Sequence, residues 1–223
     1  HVSFAYDSAS DCELIDVNIS INKGETVGII GATGSGKSTF INLIPRFYDV
    51  TKGEIIINGI NVKNYSLKKL RSKISMVPQK SVLFTGSISD NICWEKKNAS
   101  QEEIIDAAKT AQADEFIKEL PDGYNRQLLT IARVMLVNAP MLILDDATSN
   151  IDTITELKIQ KAFIKMLKGR TSFIIAHRLS TIKESDIILV MDNGNIVQSG
   201  THDELLEKGG QYSRLYNSQF ATV

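Results

Sequence analysis

The chain has 223 residues, of which 43% are apolar and 23% charged, so it has the size and composition of a globular protein with a sizeable core. A formal net charge of −1 gives no electrostatic reason to expect a nucleic-acid partner. No apolar run approaches the roughly 20 residues that span a bilayer, and no signal peptide is visible. Cys12 and Cys93, the two cysteines, lack the spacing of a zinc site and of a disulfide framework, which indicates a reducing, cytosolic setting.

Short apolar strands alternate with helical segments along the chain. It starts at His1, inside a strand-like pattern, which indicates a fragment of a longer polypeptide. The patterns that follow predict strands at Leu14–Ile21 and Thr26–Ile30, a helix at Lys37–Phe47, and strands at Glu54–Asn58 and Ile74–Val77. They then predict helices at Ser100–Leu120 and Arg126–Val137, a strand at Met141–Leu144, a helix at Thr155–Leu167, and strands at Phe173–Ala176 and Ile187–Met191. This alternation predicts a mainly parallel α/β sheet with a smaller antiparallel portion near the start.

A phosphate-binding loop is predicted between the second strand and the first helix. The segment Gly31-Ala32-Thr33-Gly34-Ser35-Gly36-Lys37-Ser38 fits the pattern G-x-x-x-x-G-K-[ST], and Thr39 follows it. Its glycines let successive N–H groups point at phosphate oxygens, Lys37 reaches the β- and γ-phosphates, and the Ser38 hydroxyl binds Mg²⁺. A glycine-rich turn before any helix is the alternative, but the position between a buried strand and a helix favours the phosphate site.

Asp145 ends the apolar strand at Met141–Leu144. A carboxylate at the end of such a strand commonly holds Mg²⁺ through water. Taken alone it is more often a cap or turn residue. Paired with the phosphate loop, the metal role is favoured.

Four further blocks carry a family resemblance over essentially the whole chain. They are Val77-Pro78-Gln79, then Leu83–Ile88 with Asn91-Ile92, then Leu144–Ser149, and finally Ile175–Thr181. With the phosphate loop, these blocks resemble the nucleotide-binding domain of ATP-binding cassette (ABC) transporters of the exporter type. The resemblance implies a single domain over residues 1–223 with a P-loop NTPase (RecA-like) core, an antiparallel β subdomain, and a helical subdomain at about 80–135.

The resemblance also assigns roles to individual residues. Tyr6 stacks on adenine, Gln79 reaches the Mg²⁺ and the attacking water, and His177 touches the γ-phosphate. Asp152 faces a partner subunit. The alternatives are that Tyr6 is an ordinary strand tyrosine, Gln79 a turn residue and His177 a structural histidine. Asp152 could instead support the start of the following helix, where Thr153 and Glu156 form a capping box.

The resemblance implies ATP and Mg²⁺ as cofactors and a second nucleotide-binding domain and transmembrane domains as partners. It implies a soluble fragment at the cytoplasmic face of a membrane, preceded in the full chain by a transmembrane domain. The leading hypothesis is therefore an ATP-hydrolysing motor domain of an exporter. An ATP-binding regulatory module with little hydrolysis is the alternative. A DNA-repair ATPase of the same superfamily is remote, because no heptad run for its coiled coil is present.

Asp146 departs from the family pattern, in which this position is a glutamate that polarises the attacking water. Losing one methylene withdraws the carboxylate by roughly one bond length, and a general base must lie within about 2.6–3.2 Å of its proton. The aspartate is similar to that of the degenerate half of heterodimeric exporters. The alternative is that Asp146 works after a slight backbone adjustment.

The second departure is a junction between Asn125 and Arg126, where loop-type sequence runs directly into a helix. The family has a loop and a Leu-Ser-Gly-Gly-Gln signature here, which binds the γ-phosphate of ATP on the opposite subunit. Three explanations fit: the residues exist but are disordered and missing from this sequence, they were engineered out, or the natural protein lacks them. We favour the first, and expect the Cα atoms of these two residues to lie further apart than the roughly 3.8 Å of a trans peptide.

Overall fold

The computed structural model describes residues 1–6, 13–80, 84–85, 87–94, 96–111, 113, 126–145, 163, 165–176 and 179–220, with residues 126–128 and 219–220 described by their backbone alone. Asn125 and Asp152 fall outside this part of the chain, so the structure does not test the expected separation at the junction or the role of Asp152. Within the described part, no helix has both the length and the apolar character needed to cross a bilayer.

Ten strands and eight α-helices are seen in the described residues. The strands are β1 (Val2–Phe4), β2 (Leu14–Val17), β3 (Thr26–Gly31), β4 (Ile56–Ile57), β5 (Ile60–Asn61), β6 (Ile74–Val77), β7 (Met141–Asp145), β8 (Thr171–Ile175), β9 (Ile187–Asp192) and β10 (Asn195–Gly200). The helices are α1 (Lys37–Leu43), α2 (Leu67–Arg71), α3 (Ile88–Ile92), α4 (Gln101–Thr110), α5 (Arg126–Val137), α6 (Leu179–Ile182), α7 (His202–Lys208) and α8 (Gln211–Phe220), and a 3-10 turn covers Val62–Asn64.

A six-stranded sheet with the order β10-β9-β3-β8-β7-β6 forms the centre of the domain. Strands β9, β3, β8, β7 and β6 run parallel to their neighbours, and β10 is antiparallel to β9. Two small antiparallel pairs, β1–β2 and β4–β5, lie outside it. The mainly parallel α/β fold with an added antiparallel portion, which the sequence predicts, is confirmed.

Both faces of the inner strands β3, β7, β8 and β9 are buried, which is why these strands are mainly apolar, whereas the edge strand β10 is partly exposed. In β7, Leu142 and Leu144 belong to the core cluster formed with α4 and α5, whereas Ile143 belongs to the opposite cluster with α1. Successive side chains of a strand point to opposite faces, so a strand between two cores needs apolar residues at every position.

The helix that begins at Lys37 ends at Leu43, four residues before the predicted end at Phe47. Pro45 has no backbone N–H to donate to the carbonyl oxygen four residues earlier, and Arg46 adopts a positive φ of 55°. The strand predicted at Glu54–Asn58 is likewise only Ile56–Ile57, because Asn58 and Gly59 form the positive-φ turn of a tight hairpin, with φ of 52° and 75°.

Other boundaries also differ from the predictions. Strand β2 ends at Val17 rather than Ile21, with Asp16 at a positive φ of 47°. Helix α4 starts after Ser100, which forms a capping box with Glu103, and its described part ends at Thr110. The predicted helix at Thr155–Leu167 lies mostly outside the described residues. The sequence analysis made no prediction for β10, α7 and α8.

The two C-terminal helices pack through a buried polar pair. Thr201 and Glu204 cap α7 reciprocally, and His202 Nδ1 shares a 2.7 Å hydrogen bond with the hydroxyl of Tyr212 in α8. Tyr212 is fully buried, and its backbone N–H donates to Gln198 Oε1. Burial raises the pKa of Tyr212 from 10.0 to about 12, since the phenolate would lose its hydration.

This shift predicts an alkaline loss of stability. The unfolded chain releases the Tyr212 proton near pH 10 whereas the folded chain keeps it to about pH 12, so the free energy of unfolding falls across that window. The slope from this group approaches about 1.4 kcal/mol per pH unit. Urea unfolding of the wild type and Tyr212→Phe between pH 9 and about 12 should give a shallower slope for the variant. Identical slopes would contradict the prediction.

Candidate functional site

The candidate site lies at the carboxyl edge of the parallel sheet. Ile175 at the end of β8 is level with Ile29 of β3 on one side and with Asp145 of β7 on the other. Parallel strands end at the same edge, and ligands of open α/β sheets bind beyond these carboxyl ends. The loop after β3 and the carboxylate that ends β7 therefore lie along one edge, with β8 between them.

Gln79 joins the same edge from the outer strand β6. Val77, which ends β6, is level with Leu144 of β7, and Gln79 follows two residues later at the surface. The structure thus brings Gln79, Asp145 and the glycine-rich loop to a single edge, in the sheet order β6, β7, β8 and β3.

The loop between β3 and α1 depends on its glycines for its shape. Gly34 and Gly36 adopt positive φ angles of 78° and 94°, which favour glycine. A Cβ on Gly36 would lie 2.8 Å from the backbone oxygen of Glu13, whereas a Cβ on Gly34 would meet nothing within 4 Å. The loop is thus closely packed at Gly36 and open at Gly34, where a ligand can approach the backbone.

Lys37 lies folded into this loop. Its Nζ donates to the carbonyl oxygens of Gly31 and Ala32 at 2.8 and 2.7 Å and to Ser35 Oγ at 3.4 Å, and the residue is only 7% exposed. The ammonium group is therefore held against the loop backbone rather than extended into solvent. Ser35 and Thr39 are buried, while Thr33 and Ser38 are exposed.

These residues fit a triphosphate with a divalent cation. Backbone N–H groups and an ammonium group are the donors that phosphate oxygens accept from, and hydroxyl and carboxylate oxygens are ligands that Mg²⁺ prefers. Ser38 supplies such a hydroxyl at the first turn of α1, and Asp145 supplies a half-buried carboxylate. One strand separates β3 from β7, so roughly 9–10 Å of sheet lies between their axes, which is room for a phosphate and a metal ion.

Tyr6 lies beside this loop in an aromatic cluster. Its hydroxyl shares a 3.3 Å hydrogen bond with Thr39 Oγ1 on α1. Its ring is perpendicular to Phe4 and to Tyr48, with centroids 4.8 and 5.0 Å away. The sequence analysis identified Tyr6 but not Tyr48, because the pair Phe47-Tyr48 gives no signal that distinguishes it from other aromatic residues after a helix.

Asp146 and His177, the other two predicted catalytic residues, lie outside the described residues. Their neighbours are described: Asp145 ends β7, and the backbone N–H of Ala176 donates to the Ile29 oxygen of β3 at 3.4 Å. Asp145 and Ala176, the last described residues before these two positions, thus lie at the edge that carries the phosphate loop.

A second polar arrangement, which the sequence analysis missed, centres on buried Asn91. Its Nδ2 donates to the carbonyl oxygens of Phe84 and Ser87 at 2.9 and 3.0 Å, and its Oδ1 accepts from the Phe84 N–H at 2.8 Å. Arg133 of α5 donates from Nε to the Asn91 carbonyl oxygen at 2.7 Å and from Nη2 to Oδ1 at 3.3 Å. This network joins the segment after Gln79 to α5.

The network also supports an exposed aromatic stack. Phe84 and Trp94 lie nearly parallel, with centroids 3.8 Å apart and an interplanar angle of 11°. The Arg133 guanidinium lies 5.2 Å from the centroid of the Phe84 ring. Spacing alone could not predict this arrangement, because Arg133 and Asn91 are 42 residues apart.

Comparison with known proteins decides the family. Residues 14–149 match the sequence profile of the family described as ABC transporter. The chain belongs to the ABC transporter family. Within it, this ABC domain is 47% identical, over 98% of its length, to putative multidrug export ATP-binding/permease proteins of Staphylococcus aureus, and 46% identical to the one named YgaD of Bacillus subtilis. It also resembles a solved bacterial Atm1-family ABC exporter with ATP bound, at a TM-score of 0.92 and 37% identity, covering 98% of this chain and 41% of that one.

The ABC domain spans about 40% of the length of these curated relatives. Its alignment with the Staphylococcus aureus proteins covers 233 positions, which is ten more than the 223 residues of this chain. These relatives therefore carry at least ten residues, within the matched region, that have no counterpart in this chain. The family assignment establishes an ATP-binding domain with the α/β architecture described above.

Replacing Lys37 tests the phosphate loop. Lys37→Ala should weaken ATP binding by roughly 10- to 100-fold, since a hydrogen bond from a charged group contributes about 1.5–3 kcal/mol. Isothermal titration with Mg-ATP measures the affinity, and circular dichroism with thermal unfolding monitors the fold. Lys68→Ala, which removes an exposed lysine of α2, is the matched control. Unchanged affinity in Lys37→Ala would contradict the assignment of the loop.

Proposed function

We propose that this ABC domain is the ATP-hydrolysing motor of an exporter. Two such domains close over two ATP molecules, and their closure and reopening drive the attached transmembrane segments. The observation that carries this proposal is the glycine-rich loop at the carboxyl edge of the sheet, with the Lys37 ammonium held against its backbone. The names of the relatives, which combine ATP binding, permease and multidrug export, support the transport role.

The nucleotide lies along the carboxyl edge in this proposal. Tyr6 stacks on the adenine, the loop from Gly31 to Ser38 with Thr39 holds the phosphates, and Lys37 neutralises charge on the β- and γ-phosphates. Ser38, Gln79 and Asp145 would hold a Mg²⁺ ion, which would supply positive charge to stabilise the charge that develops on the phosphates. The order of the strands supports this assignment, because β6, β7 and the loop after β3, from which Gln79, Asp145 and Ser38 follow, share one edge of the sheet.

Two residues then act on the attacking water. Asp146 accepts its proton as a general base, Gln79 orients it, and His177 contacts the γ-phosphate. General-base catalysis contributes about 10²–10⁴-fold to a rate, and it depends on the position of the carboxylate to within a fraction of an ångström. The aspartate at position 146 is therefore expected to reduce turnover relative to a glutamate.

The partners in this proposal are a second nucleotide-binding domain and the transmembrane domains of the exporter, with no nucleic acid. The domain then works at the cytoplasmic face of a membrane. The 60% of each relative's length that this chain does not cover leaves room for such membrane segments.

The junction between Asn125 and Arg126 is proposed to be the place where a signature loop is missing. The alignment supports this, because the relatives carry at least ten extra residues within the matched region. If the loop is truly deleted, the domain can load ATP into its own half-site but cannot complete the half-site of a partner. In either case the isolated chain is expected to be a monomer with poor ATPase activity, because ATP held between two domains needs the signature surface of a partner.

The alternative, an ATP-binding regulatory module, differs from the motor only in its rate of hydrolysis. Asp146 is the one feature in its favour, and the likeness to exporters favours the motor. Single-turnover hydrolysis in the intact transporter separates the two: a motor hydrolyses its bound ATP within the transport cycle, whereas a regulatory module retains it.

Lengthening the side chain at position 146 tests the position of the base. In the intact transporter, Asp146→Glu should raise turnover at saturating ATP by about tenfold or more, within the range that general-base catalysis spans. Asp146→Asn is the control, because it removes the base without changing its size and should lower turnover. An unchanged rate in Asp146→Glu would show that another step limits hydrolysis.

Peptide mapping tests the junction. In the present sequence, trypsin cuts after Lys118, Arg126 and Arg133. If the protein contains residues between Asn125 and Arg126 that this sequence omits, the purified protein should yield no peptide with the mass of residues 119–126. The peptide at residues 127–133 should be unchanged and serves as the internal control. Detection of the 119–126 peptide at its expected mass would mean a true deletion.

A further inference from the structure

Three aromatic rings, from Phe4, Tyr6 and Tyr48, form a closed triangle next to the phosphate loop. Tyr6 is perpendicular to both neighbours, at 85° to Phe4 and 90° to Tyr48. Phe4 and Tyr48 complete the triangle, with centroids 5.7 Å apart and planes tilted by 48°. All three pairs lie within the distance range in which aromatic rings attract one another.

The triangle determines the plane of the Tyr6 ring. The Tyr6 hydroxyl is bound to Thr39, which leaves rotation of the ring about its own long axis as the remaining freedom. Two perpendicular neighbours resist that rotation. Phe4 is almost fully buried in the core, which fixes the position of its ring. Tyr48 is 45% exposed and contacts Tyr6 from the surface side. Removing Phe4 would disturb the core, but removing Tyr48 would release Tyr6 selectively.

Tyr48 is exposed, but the turn that carries it is held in place by several contacts. It lies in the turn between Arg46 and Asp49, which form a two-point ion pair with N–O distances of 2.6 and 3.1 Å. The Arg46 guanidinium holds the pKa of Asp49 below its ordinary value, so the pair is intact at neutral pH. Arg71 further fixes the turn by donating to the carbonyl oxygens of Pro45 and Arg46 at 3.1 and 3.0 Å.

Helix α1 connects this turn to the phosphate site. Lys37 and Thr39 are in its first turn, and the backbone N–H of Phe47 donates to the Asn42 oxygen near its other end. The same helix therefore carries the groups assigned to the phosphates and supports the ring that packs on Tyr6. Through Thr39 and Tyr48, Tyr6 is therefore in contact with the helix that carries Lys37 and with the turn that follows it.

We propose that Tyr48 is a positioning residue for the nucleotide base. It holds the Tyr6 ring in the orientation that stacks on adenine, and so contributes to the base-dependent part of ATP affinity and not to the phosphate-dependent part. The proposal rests on the function proposed above, in which Tyr6 is the base platform. Tyr48 touches no part of the nucleotide and acts only through Tyr6.

Phe47 is a matched control, because it is adjacent, aromatic and similarly exposed, at 49%. Its ring faces the Arg71 guanidinium, 5.2 Å from the ring centroid, whereas the described ring contacts of Tyr6 are with Phe4 and Tyr48. Replacing Phe47 removes the same kind of side chain from the same turn while leaving the triangle intact.

The experiment compares ATP with inorganic tripolyphosphate, which carries the phosphates without the base. In the full chain, Tyr48→Ala should weaken ATP binding by roughly 2- to 10-fold, the size of one aromatic pair, and leave tripolyphosphate binding unchanged. Phe47→Ala should change neither affinity. Tyr48→Phe should bind ATP like the wild type, because the proposal requires the ring and not the hydroxyl.

The remaining variants separate the possible failures. Tyr6→Ala should weaken ATP binding, and adding Tyr48→Ala to it should cause no further loss. If Tyr6→Ala leaves ATP affinity unchanged, the base platform itself is wrong. If Tyr6→Ala weakens binding while Tyr48→Ala does not, the positioning role is overturned. If Tyr48→Ala weakens tripolyphosphate binding as much as ATP binding, the positioning role is also overturned. Tyr48→Leu replaces the alanine variant in this test if the latter fails to fold.

Discussion

Burial of the parallel sheet on both faces is the constraint on which the site depends. Strands β3, β8 and β7 lie between two apolar cores, so their side chains are mainly apolar, with Ser172 as a buried exception, and the carboxylate of Asp145 lies at a strand end. Because the strands are parallel, these ends meet at one edge. Asp145 and the loop after Gly31 are therefore neighbours as a result of packing, although they are more than one hundred residues apart in the chain.

Helix α1 turns that edge into a site of defined dimensions. It is only seven residues long, yet Lys37 lies at its start and the turn with Tyr48 follows its end. Its side chains Ile41 and Leu43 are fully or nearly fully buried and belong to one of the two core clusters. A helix held by its core contacts cannot shift one end without the other. The Lys37 ammonium group and the Tyr48 ring are thus both attached to one short, well-packed helix.

Much of this arrangement follows from the sequence, and the exceptions have physical reasons. The positions of the glycine-rich loop and of Asp145 at one sheet edge were predictable, because periodicity locates strand ends and glycine spacing locates the loop, whereas Gln79 was identified through the family resemblance. The early ends of α1 and of β2 depend on single residues, Pro45 and Asp16, whose backbone geometry periodicity does not register. The cluster of Phe4, Tyr6 and Tyr48 could not be predicted, because side-chain contacts between separate elements leave no pattern along the chain.

The buried amide of Asn91 has a mechanical consequence. Both of its polar atoms and its backbone oxygen are engaged, by the segment at Phe84 and Ser87 on one side and by Arg133 on the other. Pulling α5 away from that segment would strand several buried polar groups, each at a cost of about 1–3 kcal/mol. The segment at Phe84 and Ser87 is therefore coupled to α5. A displacement of α5 would be transmitted through Asn91 to the stacked rings of Phe84 and Trp94.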